Sequence, residues 1–214
     1  MQKTIKITGK GHIKVSPDIM RLNLEIQEVY KDYEETLKMS SEYTETLRNV
    51  IQTLGFKRKD LKTTAFNIDL VYENYQEDGV YKEKIQGYKF SHKMKLEFEK
   101  DNRLLGKLLY AFAHSSVTPK LSLDYTISDP DCVKNELLKK AVEDAKKKAE
   151  IIAQTSGVKL WEIVNVDYSW EESSFSERTV STYEIRCCEG DYSLNIENDD
   201  IDMEEAVTVV WSIL

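Results

Sequence analysis

The 214-residue sequence predicts an α+β fold, in which an antiparallel or mixed β-sheet carries two long helices and one short one. Three observations predict it. Stretches with the two-residue period of half-buried strands recur along the chain. Two long segments, about 32–54 and 130–156, instead repeat apolar or small residues every three or four positions. Each of those segments runs into a glycine, Gly55 or Gly157, the residue a helix C-cap favours. The length suits one domain; a two-lobed organisation over about 1–100 and 101–214 stays open beside it.

The elements follow in order. Ile5, Ile7, Ile13 and Val15 alternate with polar residues as a first strand. Pro17 ends it, because proline cannot donate to a ladder. Met20, Leu22, Leu24 and Ile26 make a second strand. The first long helix, about Asp32 to Leu54, lines one face with Tyr33, Leu37, Ser40, Tyr43 or Thr44, Leu47, Val50 or Ile51, and Leu54. Ala65, Ile68, Leu70 and Tyr72 suggest a long strand that changes phase between Ala65 and Ile68. Glu77-Asp78-Gly79 signals a turn. The return strand is the clearest in the chain: Tyr88, Phe90, His92, Met94, Leu96 and Phe98 alternate with polar partners, so one face is packed and one is wet.

A short helix covers about Asn102 to His114, with Asp101 as its N-cap. Leu121, Leu123 and Tyr125 mark a strand from Pro119 to Ile127. Ser128-Asp129-Pro130-Asp131 then opens the second long helix, with a capping side chain, a proline at the first position and an acid in the first turn. Leu138, Ala141, Ala145, Ala149 and Ile152 read as its core face, and the alanines let it lie close to a sheet. Trp161, Ile163, Val164 and Val166 form another strand. Glu171 to Thr182 reads as a polar loop or a mobile hairpin tip, Tyr183 to Cys188 as strand-like, and Ala206 to Leu214 as the last strand. Between Glu189 and Glu205 lie eight acids and no Lys or Arg, which reads as a solvated loop.

Composition removes several function classes. Hydrophobic residues are 41% and charged residues 32%, as in ordinary globular proteins. A net charge of −8 argues against nucleic acid, which needs a basic face, and against anionic membrane surfaces. No segment approaches the ~20 apolar residues of a membrane span. The three cysteines, Cys132, Cys187 and Cys188, form neither a disulfide framework nor a C-x-x-C zinc pair. The N-terminus lacks the apolar core of a signal peptide, so a native start at Met1 implies the cytoplasm. If a signal peptide was removed, the periplasm or envelope is expected instead.

The candidate sites are few. Gly9-Lys10-Gly11 is too short for a phosphate loop, and a strand follows it where a helix would be needed. Glycines within a strand instead mark a bulge or bend, or the close approach of another backbone, with a neighbouring subunit as one source of it. His12, His92 and His114 show no metal or triad spacing; His92 reads as a hydrogen-bonded core histidine, and His114 as a residue favoured by the helix dipole. Cys132, in the first turn of the second long helix, is the best candidate nucleophile. The acids of 189–205 lack the spacing of an EF-hand, leaving only loose cation binding. No catalytic, cofactor-binding or metal-binding residue is therefore assigned.

Several stretches resemble one known family. Ile7-Thr8-Gly9-Lys10-Gly11-His12-Ile13-Lys14-Val15-Ser16-Pro17-Asp18 is similar to the opening motif of the SIMPL-domain family. Leu61-Lys62-Thr63-Thr64 with Tyr72, Gln86-Gly87-Tyr88, the alanine-rich 141–150 and Val207-Thr208-Val209-Val210-Trp211 resemble its later blocks in the same order. The resemblance spans nearly the whole chain. It implies an α+β fold, homo-oligomers in bacterial members, no established enzymatic activity, frequent export to the envelope and proposed links to stress responses and signalling. The sequence departs from the family in lacking an export signal and in carrying Glu197-Asn198 where relatives often show Pro-Gly. The expected function is a non-enzymatic homo-oligomeric scaffold. The alternatives are a small-ligand or peptide-binding module, using a sheet edge or the hairpin around Tyr72, Tyr75 and Tyr81, and an enzyme with Cys132 as nucleophile.

Overall fold

Strand-forming and helix-forming segments sort into two antiparallel sheets, one with a single long helix and one with a long and a short helix. The computed structural model describes residues 3–77, 80–168 and 199–214. Its elements are β1 (Thr4–Val15), β2 (Ile19–Tyr30), α1 (Tyr33–Thr53), β3 (Lys62–Glu77), β4 (Val80–Glu99), α2 (Asn102–Ala113), β5 (Lys120–Thr126), α3 (Pro130–Thr155), β6 (Leu160–Asp167) and β7 (Ile201–Ile213). The α+β class holds. The strands divide between a three-stranded sheet, β1-β7-β6, and a four-stranded sheet, β3-β4-β2-β5. The chain forms two compact units: β1, α3, β6 and β7 belong to the first, and β2 to β5 with α1 and α2 to the second.

The second unit has a core of large side chains. Met20, Leu22 and Leu24 of β2, Phe90, Met94 and Leu96 of β4, Leu47 and Ile51 of α1, and Leu105, Leu108 and Phe112 of α2 are almost wholly buried. Each such side chain contributes roughly 1.5–3 kcal/mol relative to exposure. Asp101 caps α2, accepting from the backbone N–H groups of Arg103 and Leu104 at 2.8 and 3.1 Å. In α1 the buried face is Thr36, Ser40, Thr44, Leu47 and Ile51, while Tyr33 and Leu37 are exposed, contrary to the sequence reading. The reason is local: the hydroxyls of Thr36, Ser40 and Thr44 donate to carbonyls of their own helix, so these small residues are buried satisfied. The phase changes of β3 lie between Thr63 and Ala65 and between Val71 and Tyr72, on either side of the predicted position.

The first unit is built on small residues. The buried stripe of α3 is Leu137, Ala141, Ala145, Ala149 and Ala153, a strict four-residue spacing. Leu137 and Ala153 take the places expected of Leu138 and Ile152; Leu138 packs at the margin of the cluster and Ile152 is exposed. Opposite this stripe run Gly9 and Gly11 of β1. A Cβ on Gly9 would lie 2.1 Å from the Ala141 carbonyl oxygen and 2.4 Å from the Ala145 nitrogen. A Cβ on Gly11 would lie 2.2 Å from the Leu137 carbonyl oxygen. The two glycines thus admit the backbone of α3 from their own chain, not that of a neighbouring subunit. They mark no bulge, since β1 pairs with β7 without a break from Thr4–Ser212 to Val15–Ile201. Gly55 and Gly157, the predicted C-caps, have φ of 93° and 69°, the left-handed region that glycine enters without strain.

The last strand starts earlier than the sequence predicts. β7 begins at Ile201, so the end of the acidic run is strand and not solvated loop. Asp202 and Glu204 occupy its exposed positions, where Lys14 and His12 on β1 face them. The predicted loop 171–182, the strand-like 183–188, the Glu197-Asn198 turn, Cys187 and Cys188 lie outside the described residues.

Candidate functional site

The two outer strands of the three-stranded sheet are treated differently. On β1 the backbone N–H of Lys10 donates to Asp144 Oδ2 of α3 at 2.8 Å. Lys148 holds the same carboxylate at 2.7 Å, and these bonds keep Asp144 below the usual carboxylate range. A helix side chain therefore occupies the edge of β1, one of the ways proteins protect an unpaired strand.

On β6 nothing comparable is present among the described residues. Trp161, Ile163, Val164 and Val166 are 60, 59, 48 and 50% exposed. Ile163 lies opposite Trp211 in register and Val166 opposite Val209, whose side chains are buried under α3. β6 is pinned to β7 at its start, where Lys159 and Leu214 exchange backbone hydrogen bonds. Its irregular stretch is held by the Ser212 hydroxyl, which accepts from the Glu162 N–H and donates to the Glu162 carbonyl, both at 3.2 Å. The strand is fixed to β7 on its inner side, and its apolar side chains are about half exposed.

The sequence candidates do not converge. His92 is buried between two hydroxyls, Thr44 Oγ1 at 3.0 Å from Nδ1 and Thr63 Oγ1 at 2.8 Å from Nε2. Thr44 already donates to the Ser40 carbonyl, so it accepts from Nδ1–H, and Thr63 donates to Nε2. Burial, reinforced by the Arg48 charge, lowers the pKa of this imidazole. His12 is exposed beside Asp202 and Glu204, and His114 caps α2 with Nδ1 at 2.9 Å from the Tyr110 carbonyl. Cys132 is exposed, and its backbone N–H donates to Asp129; no hydrogen bond joins its thiol to a base among the described residues. No group of three or more His, Cys, Asp or Glu residues able to hold a metal occurs among the described residues. No described helix is long and apolar enough to cross a membrane. Tyr72 and Tyr81 are exposed on the β3–β4 hairpin, as expected of that tyrosine-rich segment.

What sequence reasoning missed is the exposure of β6. Its alternation resembles that of a half-buried strand, and only the position at the end of the sheet shows that its apolar residues remain uncovered. The signal available was the continuous Ile163-Val164 pair, which breaks strict alternation.

Comparison with known proteins places this architecture. The profile described as SIMPL, a protein of unknown function (DUF541), matches residues 5–211. The chain belongs to the SIMPL family. Two relatives carry the name 26 kDa periplasmic immunogenic protein, one from Brucella melitensis and one from Brucella abortus; each is 28% identical over 163 residues. The aligned part is 76% of this chain and 65% of each relative, so the chain spans a little under two thirds of their length. The stretch that resembles the family's opening motif is the Gly9–Gly11 strand that meets α3, and the alanine-rich stretch that resembles its later block is the helix face that meets it.

Proposed function

We propose that this SIMPL chain is a non-enzymatic scaffold that assembles with further copies of itself through β6. The observation that carries the reading is the strand itself: among the described residues β6 ends its sheet, with four large apolar side chains about half exposed. Such an edge is a template for another strand. A second copy fits it by charge. In an antiparallel pairing centred on Ile163, Lys159 of each copy lies opposite Asp167 of the other, Leu160 opposite Val166, and Trp161 opposite Asn165. The contact is isologous, the commonest form of oligomer interface. The periplasmic naming of the two relatives supports an envelope setting, which cell fractionation tests.

Light scattering on the eluting peak of a sizing column tests the assembly. The expected mass at tens of micromolar exceeds one chain, and Ile163→Lys lowers it to one chain with unchanged circular dichroism. A wild-type protein that stays at the mass of one chain overturns the reading.

A further inference from the structure

The four-stranded sheet has a second face, turned away from its apolar core. On it the register builds rows across β4, β2 and β5: Lys93–Glu25–Lys120, Lys95–Asn23–Ser122 and Glu97–Arg21–Asp124. The third row is tightly tied. Arg21 and Lys95 both hold Glu97 Oε1, at 2.7 and 2.9 Å. Asn23 Nδ2 donates to Asp124 Oδ2 at 2.6 Å. Asp124 is only 6% exposed, and its other oxygen is buried without a partner.

The first row is not closed in this way. Glu25 uses one oxygen, Oε1, for all its contacts: Gln27 at 2.7 Å, Ser91 at 3.4 Å and Lys93 at 3.7 Å. Lys120 stands directly opposite Glu25, yet the two form no ion pair. Both line one cleft of about 330 Å³, together with Asn23, Thr64, Lys93 and Ser122. Opposite charges on neighbouring strands therefore line one open cleft without pairing, beside Leu24, Met94 and Leu121.

We infer that this cleft binds a small zwitterion of the α-amino-acid type, its ammonium on β2 and its carboxylate on β5. β2 offers acceptors. These are Glu25 Oε2 and the amide oxygen of Asn23, whose nitrogen is fixed towards Asp124. β5 offers donors. These are the Lys120 ammonium and the hydroxyl of Ser122, which already accepts from Asn23 at 3.4 Å and keeps its own proton to give. A ligand with both charges one carbon apart satisfies both strands at once. A simple carboxylate leaves the Glu25 acceptor unanswered, and a simple amine leaves Lys120 unanswered and meets two lysines, so each half-ligand engages only one strand.

Titration of the isotope-labelled full chain with glycine, acetate and methylammonium tests the assignment by amide chemical shifts. Glycine is expected to give saturable shifts at residues 23, 25, 93, 120 and 122, while acetate and methylammonium give none at matched concentration. Glu25→Gln and Lys120→Met each weaken glycine binding about tenfold or more. Lys62→Met, a lysine of the same sheet outside the cleft, leaves it unchanged. Acetate binding as tightly as glycine, full glycine binding by both cleft variants, or no saturable shift with glycine overturns the inference.

Discussion

The two units solve the same problem, a sheet covered by helix, with opposite materials. In the second, Phe90, Phe112, Met20 and their neighbours fill the space between sheet and helices with side-chain volume. In the first, Gly9 and Gly11 remove side chains altogether, and α3 answers with alanine every fourth residue, so backbone lies against backbone. The difference teaches where each unit is vulnerable. A core of large groups fails by losing volume, because the surroundings only partly collapse into the gap. A seam of small groups fails by gaining volume, because the atoms in the way are main chain and cannot rotate aside.

Mutations that exchange the two kinds of damage test this contrast. The largest effect is expected for Phe112→Ala in the second unit, about 4 kcal/mol lost in denaturant unfolding. In the first unit a single methyl, Gly9→Ala, is expected to cost about 3 kcal/mol. Gly157→Ala has open space around its Cβ and only a φ of 69° to resist it, so about 1 kcal/mol is expected. Equal costs for Gly9→Ala and Gly157→Ala would show that the seam tolerates a side chain.

His92 belongs to the second unit and adds a pH dependence. Its folded pKa is lowered, so the folded chain resists a proton that the unfolded chain accepts near pH 6.5. The stability it supports is complete above that value and declines as pH falls through it towards the folded pKa. His92→Gln is expected to flatten this arm of the stability–pH curve relative to wild type. The smallest effect is expected on the outer strand of the first unit. Asp144→Ala, which frees the Lys10 N–H at a largely exposed site, should cost less than about 1 kcal/mol and speed hydrogen exchange at Lys10.

Most of the architecture was legible because strand and helix periods are local. The caps were legible too: Asp101, Asp129, Gly55 and Gly157 act through chemistry that a few neighbouring residues specify. The helix faces were less so. Choosing Leu137 over Leu138, or Thr36 over Leu37, depends on which partner the helix meets, and a hydrophobic reading favours the larger residue. The glycine motif was recognised, but its partner in α3 lies more than 120 residues away and carries no signal beyond its alanines. The cleft was invisible for the same reason. Glu25, Lys93 and Lys120 become neighbours only through strand register.

The exposure of β6 separates the units most sharply: Met20, Leu22, Leu24, Phe90, Met94 and Leu96 of β2 and β4 are buried, while Trp161, Ile163, Val164 and Val166 are about half exposed. A cysteine placed at its centre tests the assembly most directly. In a background of Cys132→Ser, Cys187→Ser and Cys188→Ser, Ile163→Cys is expected to form a covalent dimer under mild oxidation, while Thr53→Cys on the exposed side of α1 does not. No covalent dimer from Ile163→Cys, or equal yields from both positions, would contradict an interface centred on this strand.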